Sequence, residues 1–290
     1  CGWKQVELES DHFAEFYETG KLFMPEEELH ENQFVIGKSS TNQSLLGIHK
    51  KGFIRKMVKK MDGLIAVEPR NAEQAFAIEA LLDPNIPLVC LTGLAGSGKT
   101  FLALMAGLVG LKSGNTPRGR TLGADLPEDM KIGYDRLVIS RTLQPVGRDL
   151  GYLPGSMEEK MQPWLMPILD NVRHAFKDTS YFQMMIDKGD IEIAPIPYIR
   201  GRTFANSILI VDEAQNATIH ELKTIITRMG TNSKIVLLGD VDQIDTPYID
   251  RQSSGLSIVI DKFQNSTLCA HVNLSKGQRS DLASVASNIL

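Results

Sequence analysis

Eight residues constrain this chain more than any others: Gly93-Leu94-Ala95-Gly96-Ser97-Gly98-Lys99-Thr100, which fits the pattern G-x-x-x-x-G-K-[ST]. The flanks give the match its weight. Leu88 to Thr92 reads as a buried strand, and Phe101 to Leu111 is an apolar stretch too long for a strand and free of Pro. Strand, glycine-rich turn and helix in that order aim successive backbone N–H groups inward, and the helix N-terminus adds partial positive charge. Gly93, Leu94, Ala95, Gly96, Ser97 and Gly98 then cradle the phosphates of a nucleotide, Lys99 reaches the β- and γ-phosphates, and Thr100 holds Mg2+. The alternative is a glycine turn that binds nothing, which the complete pattern in this context disfavours.

A second stretch supplies what a phosphate loop lacks. Ile208 to Val211 is an apolar strand, and Asp212-Glu213-Ala214-Gln215 follows it directly. An aspartate at the strand end holds Mg2+ through water, and Glu213 beside it is placed to orient and polarise an attacking water. Hydrolysis is favoured over transfer to a metabolite, although two acids capping the next helix would look the same in isolation. The next apolar strand ends in Gly239-Asp240-Val241-Asp242-Gln243. If it neighbours the acid-bearing strand, Gln243 projects toward the γ-phosphate as a sensor. Upstream, Gln74 can read adenine N6 and N7 with its amide. Asn71 to Gln74 is also a capping box, so both roles stand open.

From Gly63 the chain alternates apolar strands with helical stretches, the pattern of a parallel sheet with crossover helices. The strands expected are Leu88–Thr92, Leu137–Ser140, Ile191–Ile196, Ile208–Asp212, Lys234–Gly239 and His271–Leu274. Residues 1–62 differ. Ser10 is expected to cap a short helix carrying Phe13, Phe16 and Tyr17 on one side, with Gly20 stopping it. Short strands are expected at Gln33–Ile36, Ser44–Ile48 and Gly52–Lys56, separated by Ser/Asn/Gly turns. The organisation is thus a small β-rich module at 1–62 and a nucleotide-binding domain at 63–290, with Lys112 to Tyr134 as a long surface loop.

Net charge is -4, so any nucleic-acid role must come from a local patch. Acids crowd residues 7 to 31, whereas 32 to 61 has none, and there Lys50, Lys51, Arg55, Lys56, Lys59 and Lys60 surround Phe53 and Ile54. A surface that tracks phosphates and an ordinary solvated face are both open readings. Three cysteines, widely spaced, fit a reduced cytoplasmic protein, and the longest apolar run is too short to span a bilayer. The first residue is Cys rather than Met, which fits a piece of a longer chain.

Together the phosphate loop, Asp212 to Gln215, Gly239 to Gln243 and Gln74 resemble the first RecA-like domain of superfamily 1 helicases. Within that group the chain resembles the PhoH family of ATPases over roughly 64 to 290. The closer match rests on Pro145-Val146-Gly147, Leu150 to Gly155, Glu158 to Met161, Tyr198 to Arg202, Val211 to Asn216, Lys223 to Arg228, Gln243-Ile244-Asp245 and Gln278-Arg279-Ser280. Thr142 stands where the family usually has Pro, and Ser254 where it has Asn.

The resemblance implies a Mg2+-dependent ATPase acting on single-stranded RNA, following a PIN-type nuclease domain in longer relatives, and assembled as a ring such as a hexamer. It makes Arg279 the residue that stabilises charge in the transition state. Arg141 and Arg202, near strand ends, become candidates to contact nucleic acid. The rival reading is a regulatory ATPase that controls a partner protein or an attached nuclease without translocating.

Overall fold

The computed structural model describes residues 2–24, 29–57, 67–112, 133–142, 157–176, 179–199, 201–246 and 249–277. Two sheets organise them. The first is five-stranded, built from β1 (Trp3–Glu7), β2 (Lys21–Phe23), β3 (Phe34–Lys38), β4 (Ser44–Lys50) and β5 (Phe53–Lys56), in the order β1-β3-β4-β5-β2. Helix α1 (Ser10–Thr19) covers one face of it, burying Phe13 and Phe16 against Leu22, Leu45 and Ile54. Gly20 ends the helix in the left-handed region at φ 74°. The N-cap is Glu9 rather than Ser10, its backbone N–H donating to His12 Nδ1 at 3.3 Å. Tyr17, expected on the apolar side, is exposed and donates to the Ser44 carbonyl at 2.9 Å. Strands β1 and β2 were not foreseen. One pairs in parallel with a strand 31 positions on (Trp3↔Phe34), and the other is three residues long, too short to show alternation.

The second sheet has six parallel strands. They are β6 (Leu88–Gly93), β7 (Arg136–Arg141), β8 (Ile191–Ile193), β9 (Ser207–Asp212), β10 (Lys234–Gly239) and β11 (Cys269–Leu274), in the order β11-β6-β10-β9-β7-β8. Its strands are near-continuous apolar runs because helices cover both faces. On one side α2 (Ala72–Leu82) and α3 (Lys99–Val109) pack against Val89, Leu91, Ile210 and Val236. On the other, α7 (Ile219–Ile226) and α8 (Gly255–Lys262) pack against Cys90, Leu209, Leu237 and Cys269. Helices α4 (Met157–Phe176), α5 (Ser180–Asp187) and α6 (Ile196–Ile199) complete the set. The expected strand Ile191–Ile196 stops at Ile193, since Pro195 and Pro197 lack the N–H a ladder needs, and Ile196 opens α6.

A buried cation ties this sheet to α2. Lys234 opens β10 fully buried, and its Nζ donates to the carbonyls of Ala80 (3.1 Å), Asp83 (2.7 Å) and Ile86 (2.8 Å). The two sheets also meet. Phe34 stacks on Phe76 of α2 with centroids 4.8 Å apart, Lys50 pairs with Asp83, and Asn32 Nδ2 donates to the carbonyls of Thr267 and Cys269 at 3.0 Å each. Among the described residues no helix is long and apolar enough to cross a membrane.

Candidate functional site

Every strand of the six-stranded sheet points its carboxyl end the same way, and the loop residues of interest gather there, where open α/β sheets place ligands. The loop leaves β6 at Gly93, whose φ of 130° only glycine adopts comfortably. A Cβ at this position would lie 2.1 Å from the Leu274 carbonyl oxygen of the neighbouring strand. Gly98, at φ 94°, turns the chain into α3. Lys99 is the first helical residue, and its Nζ donates to the carbonyls of Gly93 at 2.6 Å and Leu94 at 2.9 Å.

Strand β10 lies between β6 and β9, so the loop, Gly239 to Gln243 and Asp212-Glu213 stand side by side, meeting the condition set for Gln243. A cavity of about 260 Å³ opens between them, lined by Gly96, Lys99, Thr100, Asp212, Glu213 and Gln243. Phe101 and Asn171 also line it, the latter from α4. Thr100 Oγ1 is 3.4 Å from Asp212 Oδ1. Burial, reinforced by the charge of Glu213, raises the Asp212 carboxyl above the usual carboxylate range. A half-buried carboxylate beside a hydroxyl, with a second acid adjacent, is an oxygen donor set suited to Mg2+, so Thr100 and Asp212 fit that ion.

Glu213 takes a left-handed backbone, φ 54°, as the chain leaves β9. One carboxylate oxygen accepts from Arg141 Nη2 at 3.0 Å and the other from Gln215 Nε2 at 2.7 Å. Gln215 is the residue the sequence left without a role. It is buried, also donates to the Gln243 carbonyl at 3.1 Å, and accepts from the Asp240 N–H at 3.2 Å, lashing the two strand ends together. Ser254 caps the arrangement, donating to the Gln215 carbonyl at 3.0 Å. Only the span Asp-Glu-Ala-Gln hinted at it; its partners Asp240 and Gln243 lie in the loop after β10.

Gln74 divides its amide. Oε1 accepts from the Arg70 N–H at 2.9 Å and Nε2 donates to the Ser97 carbonyl at 3.1 Å, while Asn71 Oδ1 accepts from the Gln74 N–H at 2.9 Å. The cap is therefore half formed, since the Gln74 amide is spent on Arg70 and Ser97 rather than on the Asn71 N–H. Its neighbour Glu73, buried in the same turn, accepts from the backbone N–H groups of Ser275 (2.8 Å) and Lys276 (3.3 Å). Arg279 lies beyond, outside the described residues.

The nucleic-acid candidates fare differently. Arg141 sits at the end of β7 beside the cavity, joined to Glu213. Arg202 is committed elsewhere: its guanidinium holds both oxygens of Glu192, lowering that carboxyl, and lies 5.4 Å from the Phe204 ring centroid. It clamps the sheet edge at β8. The lysines do not assemble as one patch. Lys50 points at Asp83, Lys51 lies in the turn to β5, and Lys56 covers the Tyr17 ring on the opposite face. Lys60 lies outside the described residues.

Residues 66–288 match the family described as PhoH-like protein. The chain belongs to the PhoH family. Protein PhoH2 of Bacillus subtilis (strain 168) is 38% identical, the match covering 100% of this chain and 64% of that protein. Protein PhoH2 of Mycolicibacterium smegmatis is 36% identical over 76% of this chain and 46% of its own length. Protein PhoH2 of Thermobispora bispora is 30% identical over 100% of this chain and 62% of its own length. The chain thus spans less than two thirds of these PhoH relatives. A solved arterivirus nonstructural protein 10 (helicase) in complex with DNA aligns over 84% of this chain and 47% of its own at 12% identity, with a TM-score of 0.28, too slight a likeness to bear on function. In PhoH terms, the matched region holds every residue of the cavity.

Proposed function

We infer that this chain hydrolyses ATP with Mg2+ and couples the reaction to binding and remodelling single-stranded RNA. The observation that carries the reading is the junction of Arg141, Glu213 and Gln215 at the rim of the phosphate-loop cavity. Lys99 and the loop N–H groups hold the phosphates, and Gln243 senses the γ-phosphate from the neighbouring strand. Glu213 takes the role of orienting water and accepting its proton, the group that general-base catalysis requires within hydrogen-bond reach. Thr100 and Asp212 would hold Mg2+, and the ion would supply positive charge against the phosphates.

Arg141 is the link to nucleic acid. A phosphate that drew the guanidinium away would release one oxygen of Glu213 toward the cavity, so strand binding and hydrolysis share one side chain. The reading includes a ring of copies in which Arg279 reaches a neighbour's nucleotide, and an attached nuclease in longer relatives.

ATP, GTP, CTP and UTP turnover, each measured with and without single-stranded RNA and DNA, tests it. Preference for ATP with stimulation by RNA supports the reading. A rate indifferent to every nucleic acid would favour the regulatory ATPase instead.

A further inference from the structure

The five-stranded sheet has a second face, opposite α1, and only half of it is covered. Pairing aligns Phe34, Ile48, Arg55 and Lys21 in one cross-strand row, and Lys50, Phe53 and Phe23 in the next. Paired residues share a face of a sheet. The β3–β4 half of these rows is packed against the larger domain, with Phe34 and Ile48 in its core and Lys50 on Asp83. Among the described residues, nothing covers the β5–β2 half. Phe23 is 62% exposed, Phe53 partly so, and Lys21 and Arg55 are exposed beside them.

This open half has a particular chemistry. The Phe23 and Phe53 rings meet edge to face with centroids 5.4 Å apart, and Lys21 Nζ sits 5.5 Å from the Phe53 centroid. Neither β2 nor β5 contains an acid. Two solvent-facing aromatics with two cations and no carboxylate on their strands is the composition of a single-strand platform, where bases stack on rings and the cations meet the backbone. We propose that the open β2–β5 face, formed by Lys21, Phe23, Phe53 and Arg55, binds single-stranded nucleic acid by base stacking. Charge complementarity argues for this occupant over an apolar peptide or a second copy. The inference rests on the proposed nucleic-acid function and adds a contact surface remote from the nucleotide cavity.

The test uses the full chain and fluorescence anisotropy with a labelled single-stranded RNA and an abasic ribose-phosphate oligomer of equal length. F23A/F53A is expected to weaken RNA binding about tenfold to a hundredfold while leaving binding of the abasic oligomer unchanged. F23Y/F53Y should retain the wild-type affinity. K21Q/R55Q should reduce the log–log salt slope by about 1.4, from roughly 0.7 per phosphate contact. RNA-free ATP turnover should be the same in all three variants, since none of these residues lines the cavity. Wild-type affinity in F23A/F53A would overturn the platform while leaving the functional reading intact. A change in molar mass in F23A/F53A, measured by light scattering, would overturn it in favour of a contact between copies. Absence of RNA binding by the wild-type chain would overturn both.

Discussion

Arg141 and Glu213 stand 72 residues apart in sequence, and the Arg141 Nη2 donates to Glu213 Oε1 at 3.0 Å. The pair joins the end of β7 to the end of β9, and both side chains are about one third exposed. An ion pair in such a setting is worth only about 0.2–1 kcal/mol, so it can be exchanged for another partner at small cost. That is the property a coupling contact needs. Arg141→Ala should raise the RNA-free ATP turnover by up to about fivefold. The ratio of stimulated to basal rate should fall toward one. A variant that keeps both the basal rate and the full stimulation would remove Arg141 from the coupling.

Gln215 has a separable role. Truncating it to Ala strips Glu213 of a donor and leaves the buried Asp240 N–H without its acceptor. An unsatisfied buried group costs about 1–3 kcal/mol, so Gln215→Ala should lower Tm and the denaturation midpoint accordingly. The kinetic signature should be a fall in kcat with the KM for ATP little changed, because no phosphate contact is lost. Equal losses in both would mean that Gln215 shapes the binding loop instead.

Much of this site was legible because its signals are local. Gly93 closes β6, Asp212 closes β9 and Gln243 lies in the loop after β10, and the strand order then brings them together. Gln215 was not legible, since its carbonyl and N–H partners, Gln243 and Asp240, come from the loop after β10. Lys234 was not legible either, because an apolar strand gives no sign that its first residue donates to the carbonyls of Ala80, Asp83 and Ile86. The lysine cluster failed for a geometric reason. Strand alternation sends Arg55 and Lys56 to opposite faces, and the aromatics that share a face with Arg55 come partly from β2, a strand too short to see.

Asp212 makes a prediction about pH. Its carboxyl is raised by burial and by Glu213, so the folded chain binds that proton more tightly than the unfolded chain. Its contribution favours folding below the unfolded carboxylate pKa of about 3.9 and is lost as pH rises through the higher folded value. At pH 7, without nucleotide, the ionised group therefore costs stability. Asp212→Asn should raise Tm at pH 7, and the gain should vanish near pH 4. Mg-ATP should stabilise the wild-type chain more than the variant. A lower Tm for Asp212→Asn at neutral pH would contradict the assignment.

Arg279 can be placed by mixing. The strand before it is held by Glu73 through Ser275 and Lys276, so the approach to Arg279 is anchored at α2. Arg279→Ala should lose most turnover with little loss of ATP affinity, as removal of an arginine finger does, by about 10³- to 10⁵-fold. If copies assemble as proposed, mixtures of Arg279→Ala and Glu213→Gln chains should recover part of the activity when the arginine acts across an interface. No recovery from rings shown to be mixed would place it within its own copy.

Hydrolysis of ATP in this cleft, with Glu213 handling the water, stands or falls on Glu213→Gln. Nucleotide affinity by calorimetry and phosphate release by single-turnover kinetics should be measured on the same preparation, with Lys99→Ala alongside. Glu213→Gln should bind ATP as the wild-type chain does and release phosphate about 10²- to 10⁴-fold more slowly, whereas Lys99→Ala should lose affinity itself. Phosphate release by Glu213→Gln at the wild-type rate would contradict the account.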